Sequence, residues 1–439
     1  MTEKNIIKLV ILHIGIGLLI TFFPFLAKIY AALIVIIGIY FVVKNKNQNN
    51  EVLYASAYLV GSEVFLRTTG GSPCYEYAKY FMLLFFVLGI FYSKIHKKNP
   101  YWIFLLLIIP GVFIPFESLH GDFRKKVLFD ILGPICIGVC ALYTYKKTVS
   151  RVQLQNIIAS IVLPLVSCCI FLMVCYPYYD GVVNNAESNY YLSGKFAPNQ
   201  MATILGLGTF ICFSILVLIP YSKKIFFIVL AVFCLIYYRG LLTFSRGGML
   251  TCFAIIVVFL GSLFLAKEKY NHLKKRIILM LILLPAIFIL CNYQTNTILF
   301  KRYINENING LPKAHEVNGR VDMAVEEIKF FKENPILGVG VGSTKEIREA
   351  EYGTSIVTHN EITRLLAEHG ILGILSLLIL IGFPPYHYFK NKQNVYLLSF
   401  FAFWLLTVNH SAMRVAAPAF LYALSLLDVK LNDEKIISA

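Results

Sequence analysis

The residue with the clearest chemical potential is an arginine placed between two long apolar segments. Arg246 lies in the sequence TFSRGG, residues 243–248. A cation beside hydrocarbon is costly and needs a partner, and the planar guanidinium fork suits a phosphate. The pattern therefore predicts an anion-binding arginine. An interfacial turn whose arginine points outward to water is the alternative explanation.

A second arginine stands at the start of an amphipathic segment. Residues 320–333 place Val321, Ala324, Val325, Ile328 and Phe331 on one helical stripe. We predict a helix capped by Asn318, ended by Asn334-Pro335 and lying with this stripe against the membrane. Arg320 at its start opposes the helix dipole, which favours a ligand role over a stabilising one. A solvated surface charge is the alternative.

A histidine marks the start of another predicted helix. Thr358 and Glu361 have the spacing of a capping box, with Thr358 as N-cap and Glu361 at N3. His359 would then lie in the first turn, where the helix dipole disfavours imidazolium and keeps the ring neutral. A neutral imidazole can act as a general base, and the free N–H groups there suit a diphosphate. A polar residue without chemistry is the alternative.

Two further segments contain weaker candidates for substrate binding. In GVGVGS, residues 338–343, Gly338 and Gly340 could form a backbone nest for an anion, although a flexible turn explains the same glycines. In SGKFAPNQ, residues 193–200, Lys195 is a candidate anion contact and Asn199 is predicted to cap the following helix.

The elements that hold these residues are predicted to be membrane spans. The chain has 439 residues, is 58% hydrophobic and has a mean hydropathy of +0.70. Soluble domains are about 45–50% apolar. Apolar runs of about 17–25 residues recur, each long enough to cross a bilayer. We predict an all-α polytopic membrane protein with about 12–14 spans. One large extracytoplasmic loop containing amphipathic helices occupies 293–358, with membrane parts at 1–292 and 359–439.

The distribution of lysine and arginine predicts the orientation. Alternate loops are basic, which makes them cytoplasmic by the positive-inside rule and places the N-terminus in the cytoplasm. These loops lie at 44–46, 94–98, 146–151, 223–224, 267–276 and 390–392. The basic triplet Arg124-Lys125-Lys126 falls on the opposite side in this scheme and is an exception to it.

The composition also argues against several function classes. The formal charge of +16 resides mostly in short loops, which predicts contact with anionic membrane lipids and no nucleic acid. The ten cysteines lack the spacing of a metal site, so we predict neither a metal nor a cofactor. A transporter would show internal repeats and midplane ion sites, and the sequence shows neither.

Taken in order, these motifs resemble the O-antigen ligase family, a superfamily shared with O-antigen and capsule polymerases. The resemblance covers roughly residues 190–385. It rests on GKFAPN at 194–199, SRGG at 245–248, Gly319-Arg320, NPILGVG at 334–340, His359-Asn360 and EHGILG at 368–373.

The resemblance implies an inverting glycosyltransferase of the bacterial inner membrane with its active site at the periplasmic face. Its donor would be a glycan on undecaprenyl diphosphate, held by Arg246 and Arg320, with His359 deprotonating the acceptor hydroxyl. The predicted substrate-binding residues are Lys195, Asn199, Asn360, Gly338 and Gly340. The first expectation is ligation of O-antigen to lipid A–core. Polymerisation of lipid-linked repeat units is the alternative, and a lipid-linked sugar transporter is a third.

Overall fold

The structure is a computed structural model of the 439-residue chain. It describes residues 3–114, 123–266, 271–312, 318–353, 360–410 and 413–430. The side chains at 123–126, 271–272, 318–320 and 351–352 are outside this description.

The described residues are overwhelmingly helical, which confirms the predicted all-α class. The helices are α1 Glu3–Phe22, α2 Leu26–Lys44, α3 Glu51–Thr68, α4 Tyr77–Tyr92, α5 Tyr101–Ile108, α6 Phe123–Thr144, α7 Arg151–Cys175, α8 Pro198–Leu218, α9 Lys223–Leu241, α10 Arg246–Leu265, α11 Asn271–Gln294, α12 Ile298–Tyr303, α13 Asn318–Glu333, α14 Ser343–Tyr352, α15 Glu361–Lys390, α16 Leu397–His410 and α17 Ala417–Leu424. A 3-10 turn occupies Pro110–Val112, and strands β1 (Thr148–Ser150) and β2 (Asp428–Lys430) pair in a two-stranded sheet.

Many of these helices can cross a membrane. Within the described ranges, nine are long and apolar enough, namely α1, α2, α6, α7, α8, α9, α10, α11 and α15. Shorter apolar helices cover Tyr77–Tyr92, Tyr101–Val112 and Leu397–His410. In hydrocarbon every backbone polar group needs an internal partner, which a helix supplies to itself. The chain is therefore a multi-pass membrane protein, as predicted.

The first of two compact units comprises Met1–Tyr92, Val149–Lys313 and Val429–Ala439. Its central helix is α8, which is 94% buried over its apolar window. Glycines allow close contacts between helices of this unit. A Cβ atom at Gly61 of α3 would lie 2.1 Å from the Ile161 carbonyl oxygen of α7. The unit is thus a tightly packed helix bundle with little space between neighbouring backbones.

The second unit comprises Ser93–Thr148 and Ala314–Asp428. Its long helix α15 is interrupted at Gly370, which has φ 57° and ψ −135°. Helices α13 and α14 pack beside the start of α15 through a small apolar core that contains Phe330, Val339, Ile347 and Ala367. The predicted three-part division into two membrane parts and a loop stays a prediction.

Candidate functional site

Arg246 is the first residue of α10 and is half-buried. Its Nη1 donates a hydrogen bond to Asn305 Oδ1 at 3.1 Å. The N-cap residue is Ser245, but its side chain makes no capping hydrogen bond. The positive end of the helix dipole and the guanidinium group therefore lie together at one point, which favours a bound anion.

Asn199 joins α8 to the same point. Ser245 Oγ donates to Asn199 Oδ1 at 2.7 Å. The prediction that Asn199 caps α8 is wrong, because the N-cap is Ala197 and Pro198 occupies the first helical turn. The amide of Asn199 instead connects the starts of α8 and α10. Two of the predicted motifs, GKFAPN and SRGG, are thereby in direct contact.

The two helices run side by side in the same direction, and a glycine permits it. A Cβ atom at Gly248 would lie 2.4 Å from the Ala202 carbonyl carbon and 2.5 Å from the Thr203 nitrogen. One turn further, a Cβ atom at Gly206 would lie 3.2 Å from the Cys252 Cβ. Ala202 of α8 faces Gly248 of α10, and Gly206 of α8 faces Cys252 of α10. The two helices are therefore parallel, and their N-terminal ends are adjacent. Both dipoles then direct positive potential to one place.

The turn before Arg246 is held in an unusual conformation. Phe244 has φ 54°, a left-handed conformation that bulky residues rarely adopt. The buried Arg302 donates from Nε to the Phe244 carbonyl at 3.1 Å and from Nη1 to the Ala186 carbonyl at 3.3 Å. Arg302 therefore fixes the turn that presents Arg246. Sequence reasoning missed this role, because nothing near position 302 separates it from a surface basic residue.

Lys195 is exposed, with φ 52°, three residues before α8. Its predicted contact with substrate stays a prediction.

Sequence reasoning also missed Arg67, whose Nη1 donates to Gln200 Oε1 at 2.7 Å in the first turn of α8. Its ion pair with Glu63 at 2.7 Å has i,i+4 spacing and was visible in the sequence.

In the second unit, Asn360 is the N-cap of α15, and its Oδ1 accepts from the Ile362 N–H at 2.9 Å. The predicted capping box is wrong, because the N-cap of α15 is Asn360 and Glu361 is the first helical residue, not the third. Thr358 and His359 lie outside the described residues. Glu361 serves a different purpose: its Oε2 accepts from Arg364 Nη2 at 2.5 Å.

Arg320 lies in the first turn of α13, and its side chain is outside the described part of the structure. The predicted helix is present from Asn318 to Glu333. Val321, Val325 and Ile328 of the apolar stripe are 53%, 60% and 40% exposed. The stripe is therefore largely exposed, although Ala324 and Phe331 are half-buried, and its contact with the membrane stays a prediction.

The opposite face of α13 is fixed by a buried ion pair. Glu327 is fully buried, and its Oε1 accepts from Arg348 Nη2 at 2.7 Å. Thr363 Oγ1, in the first turn of α15, donates to Glu327 Oε2 at 2.5 Å. Burial opposes the charge of Arg348, but its hydrogen bonds to Glu327 and Glu326 outweigh burial and raise its pKa. The helix that begins near Arg320 is thus fastened to the helix that Asn360 caps.

Gly338 and Gly340 have φ values of 74° and 88° and lie against the interruption of α15. The Gly340 N–H donates to the Glu368 carbonyl at 3.2 Å, and the Gly338 N–H donates to the Asn334 carbonyl at 3.0 Å. A Cβ atom at Gly338 would lie 2.4 Å from the Glu368 carbonyl carbon. The two N–H groups are therefore engaged within the protein, and the anion nest at these glycines stays a prediction.

A comparison with protein families tests the resemblance drawn from these motifs. Residues 226–378 match the family model described as O-antigen ligase. This segment is therefore similar to the O-antigen ligase family. The resemblance drawn from the motifs is thus confirmed. No curated protein matches the chain.

The O-antigen ligase match begins in α9 and ends in α15. It contains Arg246, Arg320, His359 and Asn360, whereas Lys195 and Asn199 precede it. The match supports a function of the O-antigen ligase or polymerase type, acting on lipid-linked glycans in general. Among the described residues, no group of three or more His, Cys, Asp and Glu side chains has the arrangement of a metal site.

Proposed function

We propose that this protein transfers a glycan from undecaprenyl diphosphate to an acceptor sugar at the periplasmic face of the bacterial inner membrane. The contact between Ser245 and Asn199 carries the proposal, since it joins the starts of two parallel helices beside the half-buried Arg246. In the proposed orientation the N-terminus of the chain is cytoplasmic.

The chemistry of the reaction explains why such a point is needed. An acceptor hydroxyl oxygen attacks the anomeric carbon, and the bond from that carbon to the diphosphate oxygen breaks. The electron pair leaves with the diphosphate, whose negative charge grows in the transition state. A guanidinium group and two helix N-termini that are already oriented stabilise this charge without rearrangement.

The remaining roles are assigned by proposal. Arg320 is the second guanidinium group for the diphosphate, and His359 takes the proton of the attacking hydroxyl. The residues proposed to contact substrate are Lys195, Asn199, Asn360, Gly338 and Gly340. The fastening of α13 to α15 through Glu327 supports this assignment, since it keeps the segment after Arg320 beside the helix after His359.

The proposed acceptor is lipid A–core, which makes the protein a ligase, and the alternative is polymerisation of lipid-linked repeat units. A deletion strain separates the two activities. Loss of a ligase leaves long chains on undecaprenyl diphosphate, whereas loss of a polymerase leaves single repeat units there. Extraction of the lipid-linked glycans and measurement of their length distinguish these outcomes.

The test of the site uses complementation of that strain with Arg246→Ala, Arg246→Lys and Lys224→Ala. We expect Arg246→Ala to lower the transfer rate by roughly 10²–10³-fold, as loss of one charge-stabilising donor does. Arg246→Lys keeps the charge but loses the fork and recovers only part of the rate. Lys224, an exposed lysine at the start of α9, is the control and should be silent. Normal transfer by Arg246→Ala would reject the proposed site.

A further inference from the structure

A half-exposed tyrosine lies beside the proposed diphosphate site in the first unit. Tyr75, between α3 and α4, is 46% exposed. The Arg67 Cζ atom lies 4.1 Å from its ring centroid, so a guanidinium group covers one face of the ring. Nearly half of the surface of Tyr75 nevertheless remains accessible from outside the protein.

The Arg67 side chain under this ring is held in place by its own contacts. The Arg67 side chain is 4% exposed and forms an ion pair with Glu63 at 2.7 Å. Its Nη1 donates to Gln200 Oε1 at 2.7 Å, and Gln200 Nε2 in turn donates to the Tyr75 hydroxyl at 2.8 Å. The tyrosine is thus fixed at its ring face and at its hydroxyl. A side chain held in this way loses little conformational entropy when a ligand binds.

The orientation of Tyr75 is opposite to that of a tyrosine anchored at a membrane surface. An interfacial tyrosine places its ring in the apolar layer and its hydroxyl toward water. The Tyr75 hydroxyl instead accepts from Gln200, which is only 2% exposed, although Tyr75 as a whole is 46% exposed. This arrangement offers a flat apolar surface outward, and it suits a ligand that has a flat apolar face of its own.

The same helical turn connects Tyr75 to Arg246. Gln200 follows Asn199, whose Oδ1 accepts from Ser245 Oγ immediately before Arg246. A pyranose ring has C–H groups on its faces and hydroxyls at its edge, so one face can stack on an aromatic ring. A sugar attached to a diphosphate at Arg246 is therefore the ligand that this surface fits.

We propose that Tyr75, supported by Arg67 and Gln200, is the stacking surface for the first sugar of the lipid-linked glycan, the one bonded to the diphosphate. This inference rests on the proposed function. Tyr75 then contributes to recognition of the sugar and not to binding of the diphosphate. The two contributions can be separated with ligands that share the lipid diphosphate and differ in the sugar.

The experiment measures equilibrium binding to the full-length protein in detergent micelles. One ligand is the lipid-linked glycan extracted from the deletion strain, and the other is undecaprenyl diphosphate without sugar. The variants are Tyr75→Ala, Tyr75→Leu and Tyr75→Phe. Tyr40→Ala is the control, because Tyr40 is 54% exposed and its ring also lies near a cation, Lys44.

We expect Tyr75→Ala and Tyr75→Leu to weaken binding of the glycan lipid roughly threefold to tenfold, the worth of one stacked ring. Binding of undecaprenyl diphosphate should change by less than about twofold, a difference below 0.5 kcal/mol. Tyr75→Phe keeps the ring and should bind the glycan lipid nearly as the parent does. Tyr40→Ala should change neither ligand.

Three outcomes overturn the inference. If Tyr75→Ala and Tyr75→Leu weaken binding of both lipids equally, Tyr75 serves the diphosphate site or the fold. If neither variant weakens binding of the glycan lipid, no sugar stacks on Tyr75. Equal affinity of the parent protein for both lipids shows that the first sugar contributes no binding. Failure of the proposed function is distinct, because the parent protein would then bind neither lipid and the deletion strain would accumulate no lipid-linked glycan.

Discussion

Arg348→Ala tests whether the buried ion pair with Glu327 fastens α13 and α14 to the start of α15. The side chains of Arg348 and Glu327 are 3% and 0% exposed, and they meet at 2.7 Å. Removal of the arginine leaves a buried carboxylate that has lost its ion-pair partner and still accepts from the Thr363 hydroxyl. Loss of one member of a buried pair typically costs about 3–5 kcal/mol.

The expected effect is local and large. The pair joins α13 to α14, Glu327 also accepts from Thr363 of α15, and a small apolar core lies beside these contacts. The cost should therefore appear as opening of these helices. At 1.4 kcal/mol per factor of ten, a loss of about 3–5 kcal/mol increases amide exchange roughly 10²–10³-fold or more. Hydrogen–deuterium exchange with mass spectrometry over residues 321–350, in the full-length protein, measures it.

A double variant separates the pair from its geometry. Glu327→Leu combined with Arg348→Met removes the two buried charges and keeps apolar volume, which in buried pairs is often neutral. The other carboxylate partner of Arg348, Glu326, stays in place, and its side chain is 15% exposed to water. Exchange over 321–350 should then return close to the parent value. Lys329→Ala is the control on the same helix, because its ion pair with Glu333 is long, at 3.8 Å, and more than half exposed.

Two results would refute this reasoning. Unchanged exchange in Arg348→Ala would show that the pair does not hold the two helices. A double variant that opens as much as Arg348→Ala would show that the unpaired charge is not what opens the helices. Transfer activity should follow the exchange data, falling in Arg348→Ala and recovering in the double variant.

Three further predictions concern packing and charge. Gly248→Ala places a methyl group against the backbone of α8 and should cost about 1–3 kcal/mol in thermal unfolding, whereas Gly261→Ala in the same helix meets nothing within 4 Å and should be tolerated. Gly338→Ala combines a positive φ with contact against α15 and should destabilise more than Gly353→Ala, where φ is also positive but the space is open. Burial lowers the pKa of Lys147 to about 8, below its unfolded value, so stability should rise with pH from about 8 to 10. Lys147→Met should remove this rise in unfolding measured across that range, and a parent curve that is flat there contradicts the burial argument.

Local sequence patterns predicted much of the architecture. Apolar runs of spanning length reappear as α1, α2 and α7 to α11, because a helix in hydrocarbon satisfies its own backbone and needs only length and composition. Arg246 was predicted at the boundary of an apolar segment and is the first residue of α10. Such features depend on residues close together in the chain, so a single sequence is enough to predict them.

Tertiary contacts were less accessible. The hydrogen bond from Ser245 to Asn199 joins residues 46 positions apart, and the sequence around either residue does not predict this contact. The apolar pattern of EHGILG continues across Gly370, so it predicts an unbroken helix where the structure has an interruption. Asn360 and Thr358 are both good N-cap residues, and Glu361 favoured the wrong one because it completed a capping box.

The interruption of α15 has a consequence for exchanging segments between relatives. The Ile371 N–H donates to the Pro335 carbonyl at 2.8 Å, and the Ala367 carbonyl accepts from the Val339 N–H at 2.9 Å. Main-chain groups released by the break in the helix are thus paired with a segment that is distant in sequence. A hybrid that takes residues 334–342 from one parent and 367–371 from another risks leaving these groups without partners. Recombination libraries for altering glycan preference should inherit both stretches from a single parent.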